Sequence, residues 1–129
     1  MVDKYPNDLA YRFELGRLLF EMGNTREAIA EFQKAQMNPH KKIASQYYIG
    51  RCFAAQKMYD LAARRFESAI AEKEVFDDEK KELIYELGSV LEKQGKTEEA
   101  INQLKQIYEI DTGYRDVAAK VEAYYTGAK

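Results

Sequence analysis

Hydrophobic residues in this chain recur at spacings of three and four, in short blocks separated by polar turns. Leu9, Phe13, Leu15, Leu18, Leu19 and Met22 form the first block, and Ala28, Ile29, Phe32 and Ala35 the second. Such a period places the apolar side chains on one side of an α-helix. The third block carries Ile43, Tyr47, Ile49, Phe53 and Ala54, and the fourth Leu61, Ala62, Phe66, Ala69 and Ile70. Leu83, Ile84, Leu87, Val90 and Leu91 mark a fifth, and Ala100, Ile101, Leu104, Ile107 and Tyr108 a sixth. A seventh starts near Tyr114, with Val117, Val121 and Tyr124 on one side. No segment holds the period-two alternation of a strand. The pattern predicts an all-α chain of three antiparallel helix pairs and one extra helix, and the short connections suit antiparallel neighbours.

The turn residues set the expected boundaries. Pro6-Asn7-Asp8 opens the first helix, with Asn7 or Asp8 as N-cap. Gly23 and Gly95 can take the left-handed conformation that ends a helix, and Thr25 and Thr97 are expected to cap the helices that follow. Gln56-Lys57-Met58 is the equivalent turn without glycine. The second helix is expected to end near Met37 and the third to start at about Lys41. After the charge-rich EKEVFDDEKKE, Asp77 or Asp78 is expected to cap the fifth.

A longer period lies over the short one. Twelve residues separate Gly16 from Ala28, Gly50 from Ala62 and Gly88 from Ala100. Self-similarity of this kind signals a repeat architecture. Small residues at these positions let paired helices approach closely, and Phe32, Phe66 and Leu104 are expected to fill the space towards the next repeat. The chain resembles the tetratricopeptide repeat (TPR) family on these residues. Its signature runs through Leu15-Gly16, Leu19, Ala28, Phe32 and Pro39, then Ile49-Gly50, Phe53, Ala62 and Phe66, then Leu87-Gly88, Leu91, Ala100 and Leu104. The early Trp of the family is replaced by Arg12, Gln46 and Ile84.

The resemblance implies a right-handed TPR superhelix, an α-α solenoid. It would form a single domain over 1–129, with repeats at about 9–42, 43–80 and 81–114 and a capping helix at about 114–126. Gly16 to Gly50 is 34 residues, but Gly50 to Gly88 is 38. The four extra residues, about one helical turn, predict a longer fourth helix or a longer loop around Glu72 to Glu79. Pro6-Asn7-Asp8 resembles the punctuation between TPR units, so Met1–Tyr5 is read as the frayed end of an upstream helix and the chain as a piece of a longer array. In the last helix Glu122 holds the Gly position, as suits a terminal cap.

Composition narrows the function. The 129 residues are 46% hydrophobic and 33% charged, with net charge −2 and a pI near 5.6. That balance argues against nucleic acid or an anionic membrane as partner. No apolar run approaches the roughly 18 residues that span a bilayer. Cys52, the one cysteine, reads as a small core residue, and His40, the one histidine, as a solvated loop residue. Catalytic triads, metal-ligand clusters and phosphate loops are missing from the pattern, so no enzyme activity, cofactor or metal is expected.

The TPR register suggests where binding lies. The first helix of each pair lines the concave groove in the family. Phe13, Tyr47 and Tyr85 stand three residues before each Gly, and Arg17, Arg51 and Ser89 one residue after it. With Phe20 they form the expected groove for a protein or peptide segment carrying apolar and acidic side chains, since aromatics and Arg anchor partners most strongly. In the alternative, the three aromatics belong to the inter-repeat core and the arginines pair with Glu14 or Glu21. The chaperone-tail clamp of the family would need other residues at Phe13, Arg17, Arg51, Glu82 and Glu86. A second functional reading is a spacer or self-association module, forming a homo-oligomer through the N-terminal face around Leu9, Phe13 and Leu18. The compartment stays open, with the cytoplasm favoured.

Overall fold

The computed structural model describes residues 8–127. Met1–Tyr5, Pro6 and Asn7, read above as an upstream helix end and an opening turn, lie outside them. Seven helices follow in order: α1 (Leu9–Glu21), α2 (Thr25–Ala35), α3 (Lys42–Ala55), α4 (Tyr59–Glu72), α5 (Asp78–Lys93), α6 (Thr97–Tyr108) and α7 (Val117–Thr126). No strand occurs among the described residues. The chain divides into two compact units, the first ending at Glu74 and the second starting at Val75.

In the first unit α1 pairs with α2, α3 pairs with α4, and α2 packs on α3. The glycine–aromatic spacing determines how close each pair comes. A Cβ on Gly16 would lie 2.9 Å from the Phe32 ring, and one on Gly50 only 2.6 Å from the Phe66 ring. Both rings are fully buried. Phe32 also stacks on Tyr48 of the next pair, with centroids 5.1 Å apart, so it serves its own hairpin and the neighbouring one. Cys52 is buried in the same cluster as Phe32, Ala35 and Ile49. Burial lifts its thiol pKa to about 11.

At the family's early Trp position Arg12 is almost buried, and it pairs with Glu31 at 3.0 Å. Gln46 and Ile84, its counterparts, are buried too. The position is therefore interior in every repeat, and a charge is tolerated at one of them because α2 supplies the counter-ion.

The second unit pairs α5 with α6 and packs α6 on α7. Here a Cβ on Gly88 would meet the flexible end of Leu104 at 2.9 Å. The four extra residues lengthen helices. α4 has 14 residues against 11 in α2, and α5 has 16 against 14 in α3. The connection at 73–77 is no longer than the one at 36–41. The helix arm of the sequence expectation therefore describes the structure.

Some boundaries differ from expectation. Thr25 and Thr97 are first helical residues and not caps; Asn24 and Lys96 hold the N-cap positions without a side-chain cap bond. The reason is the tightness of the turn. Gly23 and Gly95 sit at φ 85° and 79°, and the next amide closes back on the preceding helix, Asn24 N to Leu19 O and Lys96 N to Leu91 O, both at 2.9 Å. One residue then remains before the next helix starts. Lys57, with φ 65°, takes the same left-handed place without being glycine. Asp8 and Asp77 do cap, accepting from Tyr11 N and Lys80 N at 3.0 Å. α2 ends at Ala35 and not Met37. α7 starts at Val117 and not Tyr114, because Arg115 at φ 45° interrupts the helical path.

Candidate functional site

The expected site residues fall into both units, and each group has its own surroundings. In the first unit α1 and α3 lie side by side. Phe13 faces inward. It is 6% exposed and meets Phe32 and Tyr48 edge-on at 5.6 and 5.9 Å. Lys41 Nζ lies 4.8 Å from its centroid. Phe20, one helical turn beyond Arg17, is half-buried and also meets Tyr48 edge-on, at 5.6 Å. Tyr47 is half-buried against Tyr48 and Phe66.

The two arginines differ. Arg17 Nη1 pairs with Glu14 at 2.8 Å. Its pKa is raised, first by a hydrogen bond to Tyr48 and then by Glu14. Arg51 lies between two rings, its guanidinium carbon 4.8 Å from the Phe20 centroid and 5.5 Å from that of Tyr47. Its Nη1 donates a long 3.4 Å bond to the Tyr47 hydroxyl. Among the described residues it has no carboxylate partner. Stacking of this kind contributes about 0.5–2 kcal/mol per contact, depending on solvation. It holds the planar group in place while leaving its N–H edges able to grip an anion.

Tyr48 organises this face, and the sequence reading passed over it. It touches Phe13, Phe20, Phe32 and Tyr47. Its register offers a signal: the same position, two before the Gly, is Glu14 in the first repeat and Glu86 in the third. An aromatic where its counterparts are acids marks a local departure.

In the second unit Tyr85 and Ser89 are half-buried on α5. Tyr85 donates to Asp116 Oδ1 at 2.7 Å, and the Arg115 guanidinium lies 4.8 Å from its ring. Burial first, then the Asp116 bond, raises its phenol pKa to about 12. Glu82 accepts from the Tyr114 hydroxyl and from Arg115 Nη2, both at 2.6 Å. Tyr114 titrates above its ordinary range for the same two kinds of cause, burial before the bond to Glu82. These contacts hold the start of α7 on α5, so Tyr85 forms part of a latch as well as of a surface.

No group of three or more His, Cys, Asp or Glu that could hold a metal ion occurs among the described residues. No helix among them is long and apolar enough to cross a membrane. A cleft of about 480 Å³ at Gly23–Glu27, Gln56 and Met58, and one of about 410 Å³ between α6 and α7, are lined by none of the expected site residues.

Comparison with known proteins agrees with the repeat register. Two tetratricopeptide repeat family models match, one over residues 13–74 and one over 82–114. No curated protein matches the sequence. Among solved structures, MamA superposes with a TM-score of 0.82 at 21% identity, over 98% of this chain and 71% of its own. YrrB, described as a TPR protein with an unusual peptide-binding site, gives 0.77 at 22% identity, over 98% of this chain and 66% of its own. The Yersinia enterocolitica type III secretion chaperone SycD, in complex with a peptide of the translocator YopD, gives 0.77 at 19%, over 94% of this chain and 95% of its own. At such identities the likeness shows the fold. Together with the two model matches and the glycine–alanine register, it places the chain in the tetratricopeptide repeat family, with that family's all-α solenoid fold.

Proposed function

We propose that this chain is a non-catalytic scaffold for protein–protein interaction. The α1–α3 face of its first unit holds an extended or helical segment with acidic and apolar side chains. The observation that carries this reading is Arg51, stacked between Phe20 and Tyr47 with no carboxylate partner among the described residues. An acidic side chain of the partner pairs with the exposed edge of the guanidinium, and an apolar neighbour lies on the flanking rings. Arg17 has a weaker part, because Glu14 already partners it. Phe13 supports the face from beneath. Tyr85 and Ser89 remain candidates on α5. Two relatives of the same fold are described by their peptide binding or a bound peptide, which supports protein as the partner class. The net charge of −2 disfavours nucleic acid.

The test is selection of binders from a random peptide library. Recovered peptides should be enriched in Asp or Glu next to an apolar residue. Arg51→Ala should weaken them by about 30-fold, the usual loss at an arginine anchor. Arg51→Lys should recover only part of the affinity, because an ammonium keeps the charge but not the fork or the stacking. Unchanged affinity in Arg51→Ala, with helicity intact, refutes the reading.

A further inference from the structure

In the second unit an arginine comes to α5 from outside that helix. Arg115 belongs to the connection at 109–116, between α6 and α7. Its Nη2 donates to Glu82 Oε1 at 2.6 Å. Its guanidinium carbon lies 4.8 Å from the Tyr85 centroid and 5.5 Å from that of Tyr114. Burial works against the charged form, but Glu82, Tyr114 and Glu86 outweigh it, and the pKa is raised. Glu82, Tyr85 and Glu86 stand at spacings of three and four, on one side of α5. A carboxylate beside an aromatic face suits a guanidinium, which bonds through its N–H edge while its plane lies on the ring.

The segment that brings Arg115 there is shallowly seated. Tyr114 is half-buried, and Arg115 and Asp116 are exposed. Behind them α7 buries only Val117 and Val121 of its ten residues, against six of sixteen in α5. Arg115 also reaches the ring through a left-handed backbone, φ 45°, which L side chains adopt at a cost. Strain of this kind persists where the surroundings hold the residue in place, and here Glu82 and Tyr85 are those surroundings. The segment therefore behaves as an occupant of the α5 face more than as part of the core.

We propose that α5 carries a recognition site for an arginine side chain of a partner segment, built from Glu82, Tyr85 and Glu86 and filled in cis by Arg115. The tethered occupant has a high effective concentration, so a partner gains the site by displacing residues 114–116. The fitting segment carries arginine next to an aromatic residue, the chemistry of Tyr114-Arg115 itself, because Glu82 accepts from both side chains at 2.6 Å. The site takes a base, whereas the α1–α3 face takes an acid. It lies wholly in the second unit, so it can fail while the reading of that face stands.

The experiment empties the site with Arg115→Gly, which also relieves the left-handed backbone. Arginine capped as its acetyl amide is titrated into the labelled full chain while amide chemical shifts are followed. The variant should show saturable shifts centred on Glu82, Tyr85 and Glu86, with a Kd about 10-fold or more below that of the parent. Capped lysine should bind more weakly, because an ammonium lacks the planar fork. Glu82→Gln added to Arg115→Gly should abolish the arginine shifts. Equal binding by the parent, no saturable binding by the folded variant, equal binding of lysine, or binding that survives Glu82→Gln overturns the inference. If Arg115→Gly loses helicity, Arg115→Asn repeats the test with a residue that also tolerates positive φ. Loss of helicity in both variants overturns the inference, because residues 114–116 then hold the fold and mask no site.

Discussion

Gly50→Ala probes the repeat mechanics most sharply. A Cβ built there would lie 2.6 Å from Phe66 Cε1 and 2.8 Å from Cζ, well inside the 3.5–4.0 Å of an ordinary carbon contact. The ring is fully buried and lies against Tyr47, so it cannot swing into solvent. Overpacking of this sort costs about 1–3 kcal/mol. Alanine returns about 0.8–1 kcal/mol of helix propensity over glycine. Because the ring cannot yield, the upper part of the overpacking range applies, and the net expectation is a loss of about 1–2 kcal/mol. Gly88→Ala is the internal control. Its new Cβ meets the end of Leu104 at 2.9 Å, and a leucine rotamer yields where a ring does not, so the two effects should nearly cancel. Urea unfolding followed by circular dichroism at 222 nm measures both variants. Adding Phe66→Leu to Gly50→Ala, which copies the pairing in Gly88→Ala, should recover part of the loss and show favourable coupling. The reasoning is refuted if Gly50→Ala is as stable as the parent, or if the two glycine variants lose equally.

Three further outcomes follow from particular residues. Lys57→Gly should raise stability by about 0.5–1 kcal/mol in the same urea assay, because it relieves a left-handed backbone that glycine already serves at Gly23 and Gly95. Tyr85 has its folded pKa raised to about 12 from an unfolded value near 10. Its contribution is therefore complete below about pH 10 and fades as pH rises towards 12; urea midpoints should fall over that window, and less steeply in Tyr85→Phe. Cys52, with its pKa lifted to about 11 by burial, should react with a disulfide reagent at pH 8 only as fast as the first unit opens, and faster labelling in the folded state would contradict its place in the core.

The fold was readable from sequence because its determinants are local and periodic. The three- and four-residue period defines the helices, and the Gly–Ala interval of the repeats is a packing constraint expressed directly in residue size. Most of the misplaced features depend on contacts distant in sequence. Arg115 leaves the helical path where Glu82, 33 residues earlier, holds it and Tyr114, and no local signal at Tyr114 shows that. Thr25 looks like a cap, but the close return of Asn24 N to Leu19 leaves it inside the helix; its hydroxyl instead accepts from Gln56 Nε2 at 2.8 Å. Arg12 looked like a simple loss of Trp until Glu31 showed how a charge occupies that interior position. At the candidate site the register picked out Tyr47 and Arg51, with Phe20 added one turn on, but not their centre. Tyr48 occupies a place held by Glu14 and Glu86 in the other repeats, so only its departure from the register marks it.

The α1–α3 face can be tested by mapping amide chemical shifts of the labelled chain as an acidic, apolar peptide from the library selection is added. Saturable shifts should centre on Phe20, Tyr47 and Arg51 and weaken as salt rises. Shifts confined to α6 and α7, or an unchanged map in Arg51→Ala, would contradict the assignment of this face as the binding surface.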